Sequence, residues 1–112
     1  MKKLTKEQIT GILGQPNGAL KLMQMNVDTD ALLNEAVRMF IEDGAASALI
    51  LRLANKKQYV IRLREDGEFT SALLSGLSSD SPKLRRNCAR LIGKLMLTEY
   101  AGALIAALSR ED

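Results

Sequence analysis

Arg86, Arg90 and Lys94 stand at i, i+4 and i+8, Lys83 lies one turn ahead of them, and no carboxylate falls anywhere between residues 82 and 97. On a helix this spacing sets the cations along one side. Like charges so placed destabilise a helix by roughly 0.2–0.5 kcal/mol per pair. What such a row can do is electrostatic: hold an acidic protein segment or a nucleic-acid backbone. Its plainer use is solubility, with neighbouring residues neutralising the charge.

Other chemistry is thinly represented. The chain has no His, which removes the commonest general base and metal ligand. Cys88 follows Arg85 closely and invites a nucleophile reading. It falls, however, on an apolar stripe with Leu84, Leu91, Ile92 and Leu95, at i, i+4, i+7, i+8 and i+11. That position predicts an inert core thiol, since reactive cysteines need an exposed electropositive setting. Glu42-Asp43 and Glu65-Asp66-Glu68 could pair carboxylates or hold a metal, but each group adjoins a Gly at an expected helix junction. Solvated turn and cap residues describe them better. The glycine-bearing stretch "GILGQPNG" lacks the Lys-Ser or Lys-Thr and the preceding strand of a phosphate loop. No catalytic residue, cofactor, metal or small-molecule substrate is indicated, and the chain does not read as an enzyme.

At 112 residues the chain is one domain's worth, expected to fold as residues 1–112 together. Leu, Ile, Ala and Met dominate its apolar residues and aromatics are 4%, a balance that favours helices. A single cysteine forms no internal disulfide, so a reducing, cytoplasmic setting is expected. "MKKLTKEQIT" has no apolar run behind its lysines, so a signal peptide is not expected, and no stretch approaches the ~20 apolar residues of a membrane span. Net charge is only +3, which permits an anionic partner without requiring one.

Helical periodicity and capping signals place the elements. Thr5 and Gln8 have capping-box spacing, with Leu4 and Ile9 placed for a hydrophobic staple. A first helix should run from there to about Gly14, ahead of the turn "QPNG". A short helix follows over residues 19–25. "DTD" at 28–30 opens a longer one with Leu32, Leu33, Ala36, Val37, Phe40 and Ile41 on its apolar face and Gly44 as its stop. Residues 45–54 and 57–64 read as helices separated near Asn55, although "QYVIRL" has strand composition. Gly67 punctuates again. Helices are then expected over 69–77 and 82–97, joined by "SSDSP", and over about 98–109.

A small motif recurs: "ALILRL" from residue 48, "ALLSGL" from 72 and "ALIAAL" from 103, with "EDG" upstream of the first two. Such recurrence points to stacked helix pairs sharing one core. "DSPKLRRNCARLIGKL", from residue 80, resembles the second helix of a HEAT repeat: Leu84-Arg85 matches the aliphatic-Arg pair, Cys88-Ala89 the small site and Ile92-Gly93 the aliphatic-Gly pair. Motif matching covers about 68–112. The 31-residue step between the later copies suits shorter HEAT-like variants, and the 24-residue step marks an irregular repeat.

The resemblance implies an all-α right-handed solenoid: capping helices at 1–44, an irregular hairpin at 45–67, the best-matched repeat at 68–97 and the first helix of a further repeat at 98–112. It implies that Arg85 pairs with an acidic residue of an adjacent turn, Asp80 or Asp112. It also implies that Gly93 allows close approach of a neighbouring helix. Second helices line the concave face in such solenoids, so Lys56, Lys57, Arg62 and Arg64 could extend the surface of Lys83, Arg86, Arg90 and Lys94. The expected function is a non-catalytic scaffold or binding module for a protein partner or another domain of a longer polypeptide. The alternative is a phosphate-directed RNA- or DNA-binding module, such as the substrate-positioning arm of a nucleic-acid-modifying enzyme. Sparse aromatics argue against single-strand stacking platforms. "ALIAALSRED" aligns on "ALLSGLSSD", which leads to the expectation of a fragment ending at a repeat's inner turn, its unpaired last helix open to self-association.

Overall fold

The computed structural model describes residues 3–95 and residue 105. Among these the protein is all-helical, and no strand occurs. The chain forms two compact units, Met1–Leu53 and Ala54–Asp112.

In the first unit, α1 (Lys6–Leu13) starts on a complete capping box. Gln8 N–H donates to Thr5 Oγ1 at 3.2 Å, and Thr5 N–H donates to Gln8 Oε1 at 2.9 Å. After the QPNG turn comes α2 (Gly18–Gln24). Asp28 caps α3 (Thr29–Asp43) by accepting from Ala31 N–H at 3.1 Å. Gly44 ends it in the left-handed conformation, φ 76°. Both ends match the local signals at Asp28 and Gly44. α4 (Ser47–Leu53) begins two residues later than its composition suggests, because Ala46 is itself left-handed, φ 68°. α4 packs on α2 and α3, and α1 on α2. Ile9, Leu22, Leu33, Phe40, Leu49 and Ile50 are among the buried side chains there. At the surface, the Lys6 ammonium donates to Glu42 at 3.1 Å, which holds its pKa above the ordinary lysine value.

In the second unit, "QYVIRL" is helical: α5 (Lys57–Glu65) buries Tyr59 and Leu63 on one edge. Full burial contributes about 1.5–3 kcal/mol for an aliphatic or aromatic side chain of this size. α6 (Gly67–Gly76) follows with a single residue between them. Gly67 is therefore no break; it is the first residue of α6. Asp66 closes α5 and caps α6, its carboxylate accepting from Phe69 N–H at 3.0 Å. α7 (Pro82–Lys94) starts at Pro82 with Ser81 Oγ accepting from Leu84 N–H at 3.2 Å. α6 packs on both α5 and α7. The segment expected as one hairpin, residues 45–67, thus supplies α4 to the first unit and α5 to the second. The helix expected at 98–109 lies outside the described residues, apart from Ile105.

Among the described residues, close helix approach occurs at Gly76. A Cβ on Gly76 would overlap Cys88 Sγ, so α6 comes down directly on the small side chain of α7. Gly93 is exposed, and no heavy atom among the described residues beyond its own stretch of helix lies within 4 Å of where its Cβ would be. The reason is angular: Gly93 sits on the opposite side of α7 from the Leu84–Cys88–Leu91–Leu95 stripe.

Glycine at these two positions should therefore answer oppositely to substitution. Gly76→Ala should destabilise by about 1–3 kcal/mol through overpacking. Combining it with Cys88→Ala should recover at least ~0.5 kcal/mol as a coupling between contacting sites. Gly93→Ala should stabilise by up to ~1 kcal/mol, the helix-propensity difference. Urea denaturation of these three variants, of Cys88→Ala alone and of the parent measures all three terms.

Candidate anion-binding face

Charge is unevenly divided along the chain. The unit Met1–Leu53 has six basic and six acidic residues, whereas Ala54–Asp112 has ten and seven, so the net +3 belongs to the second. Among the described residues of the second unit the only carboxylates are Glu65, Asp66 and Glu68 at the α5–α6 junction and Asp80 in the α6–α7 turn. Asp66 is engaged as a cap. The α7 helix itself has no carboxylate.

The roll of α7 about its axis decides which side chains meet water. Cys88, Leu91, Ile92 and Leu95 are buried and Leu84 is half-buried, so the predicted stripe faces the core. Lys83, Arg86, Arg90 and Lys94 are all exposed. Lys83 lies in the first turn, where the helix dipole opposes a cation. Neither that cost nor the repulsion within the row is offset by an acid on the helix.

Arg85 leaves this face. It is half-buried, and its Nη1 donates to the carbonyl oxygen of Ser79 at 2.7 Å. The acceptor it reaches in the adjacent turn is a backbone carbonyl, whereas the resemblance implies an acidic side chain. Asp80 is exposed in the same turn, and Asp112 lies outside the described residues.

Two stretches of basic residues, distant in sequence, are joined by one contact. Lys94 Nζ donates to Asn55 Oδ1 at 2.5 Å. Asn55 immediately precedes Lys56 and Lys57, so the C-terminal end of the α7 row arrives at the start of α5. Lys56 and Arg62 lie over the ring of the buried Tyr59, at 5.6 and 5.8 Å from its centroid. Such cation–π contacts fix long side chains that would otherwise sample many rotamers. Arg62 and Arg64 occupy the last turn of α5, where the dipole favours them. Lys56, Lys57, Arg62 and Arg64 are exposed. Lys83 is the outlying member of the set, about 16 Å along the axis from Lys94.

Asn55 and Tyr59 were not among the expected site residues. Asn55 is legible only as a helix break, and its contact with Lys94 spans 39 positions. Ile61, 49% exposed on α5 among these cations, was also missed. Its signal was available, because it lies half a turn away from the Tyr59–Leu63 edge.

The other chemistry resolves into structure. Asp43 accepts from Ala45 N–H at 3.1 Å, Glu42 from Lys6, and Asp66 from Phe69, which makes these carboxylates turn, surface-pair and cap residues. Among the described residues no group of three His, Cys, Asp or Glu is placed to hold a metal ion. No helix among them is long and apolar enough to cross a membrane. Set against family models, curated proteins and solved structures, the chain matches none.

Cys88 is fully buried, and burial raises its thiol pKa from 9.0 to about 11. Thiol reagents at neutral pH should therefore modify it only when the protein opens. The sign of the pH dependence follows. Below pH 9.0 the thiol is protonated whether the chain is folded or unfolded. Between 9.0 and about 11 the unfolded chain releases the proton first, so stability falls as pH rises through that window. Comparing urea denaturation of the parent and Cys88→Ala from pH 8 to pH 11, at roughly one-unit steps, isolates this contribution: the parent should lose more stability than the variant.

Proposed function

We propose that this chain is a non-catalytic helical module whose α5–α7 face binds an acidic segment of a protein partner or of another domain of the same polypeptide. The observation that carries this reading is the Lys94–Asn55 contact. It brings the C-terminal end of the carboxylate-free row Arg86–Arg90–Lys94 to the residue that precedes Lys56 and Lys57, which supports one cationic face drawn from two parts of the chain. A row of like charges that lowers helix stability is explained if an anionic partner neutralises it. The module is proposed to be built of HEAT-like helix pairs stacked as a right-handed solenoid, with α6 and α7 as one such pair, working in the reducing cytoplasm. The motif around Leu84-Arg85 and Cys88-Ala89 supports that, together with the tight α6–α7 contact.

A nucleic-acid backbone would also meet a cationic face, as on the substrate-positioning arm of a nucleic-acid-modifying enzyme. Two features favour protein. Phe40, Tyr59 and Phe69, the aromatics among the described residues, are all buried, which leaves no platform there for stacking bases. An aliphatic side chain, Ile61, also stands exposed within the cations.

Fluorescence anisotropy with a polyglutamate peptide and with duplex and single-stranded RNA and DNA, each titrated with salt, tests the assignment. The peptide should bind, weaken as salt rises, and lose about tenfold in affinity, ~1.4 kcal/mol, in Arg86→Glu/Arg90→Glu. The control variant Lys21→Glu, in the first unit, should bind as the parent does. Nucleic acid binding more tightly than the peptide at equal salt would overturn the protein reading. Binding unchanged in the double variant would remove the face from it.

A further inference from the structure

The outer face of α5 combines charge with an exposed aliphatic group in a defined order. Tyr59 and Leu63 mark the buried edge, and at about 100° per residue Ile61 falls directly opposite its midpoint. It is 49% exposed, and a β-branched residue there lowers helix propensity. Lys57 precedes it by one turn, Arg64 follows at i+3, and Arg62 and Lys56 are held at the flank by the Tyr59 ring. Glu65, at i+4, is the carboxylate of α5 on the same side. A surface kept only for solubility gains nothing from an Ile at its centre. A polyanion of uniform charge gains nothing from it either.

We infer that α5 docks an amphipathic acidic helix, whose apolar side covers Ile61 while its carboxylates meet Lys57, Arg64 and Lys56. This rests on the protein-binding reading above and narrows it. The charges set orientation and encounter, and the aliphatic contact discriminates a folded acidic helix from an unstructured acidic tail. The ligand would carry its apolar anchors on one side, at i, i+3, i+4 and i+7.

Two fluorescein-labelled peptides of equal length and equal glutamate content test it. One carries Leu at i, i+3, i+4 and i+7, and the other carries Gln at those positions. The Leu peptide should bind about fivefold more tightly, ~1 kcal/mol. Ile61→Gln should erase that preference while leaving affinity for the Gln peptide unchanged, and Lys57→Gln/Arg64→Gln should weaken both peptides. Thermal denaturation of each variant verifies folding, which an exposed site should preserve. Equal affinity of the two peptides for the parent overturns this inference and leaves the protein-binding reading standing. A preference that survives Ile61→Gln also overturns it. If neither peptide binds, both fail. Sedimentation of the protein alone separates the remaining occupant: self-association lost in Ile61→Gln would assign the face to a second copy and overturn the acidic-helix assignment.

Discussion

The second unit depends on how closely α6 and α7 approach at Gly76 and Cys88. Neither position tolerates much more volume: a Cβ on Gly76 would already overlap the sulfur. That contact fixes the roll of α7, and the roll fixes everything on its far side. With Cys88 turned inward, Leu91, Ile92 and Leu95 are carried into the core. Arg86, Arg90 and Lys94 are carried out, and Lys94 reaches Asn55. Rotating α7 by one residue position would bury a cation and expose an aliphatic side chain, either of which costs more than the repulsion within the cationic row. The electrostatic character of the surface is therefore a consequence of a steric fit inside.

What could be read from the residues alone was whatever depends on a few neighbours in sequence. Thr5 with Gln8, Asp28, Gly44 and Ser81-Pro82 mark helix ends by hydrogen bonds and dihedral preferences that need nothing distant, and the structure shows those ends. Contacts between distant residues were not so legible. Lys94 and Asn55 share no sequence signal, and Gly76 was one Gly among eight. The packing role that the family pattern gives Gly93 involves a neighbouring helix, and no helix among the described residues meets it. The exposed Ile61 is visible on a helical wheel and hidden by the mixed composition of "QYVIRL".

The two EDG tripeptides show why identical letters need not fold alike. In the first, the carboxylate of Asp43 accepts from Ala45 N–H and the Gly takes the left-handed conformation, which stops α3. In the second, the carboxylate of Asp66 accepts from Phe69 N–H, one position further along relative to the Asp, and the Gly enters a new helix at once. One side-chain oxygen choosing a different backbone donor separates a helix end from a helix start.

That choice makes Asp66 a shared pin. It is the C-cap of α5 and the N-cap of α6, with no further spacer to absorb motion in one before it reaches the other. Fraying of the final turn of α5 would pull the same residue away from Phe69 N–H, so the adjoining turns open as one event rather than two. A ligand that clamps α5 from outside would then slow amide exchange in the first turn of α6, a helix it need not touch.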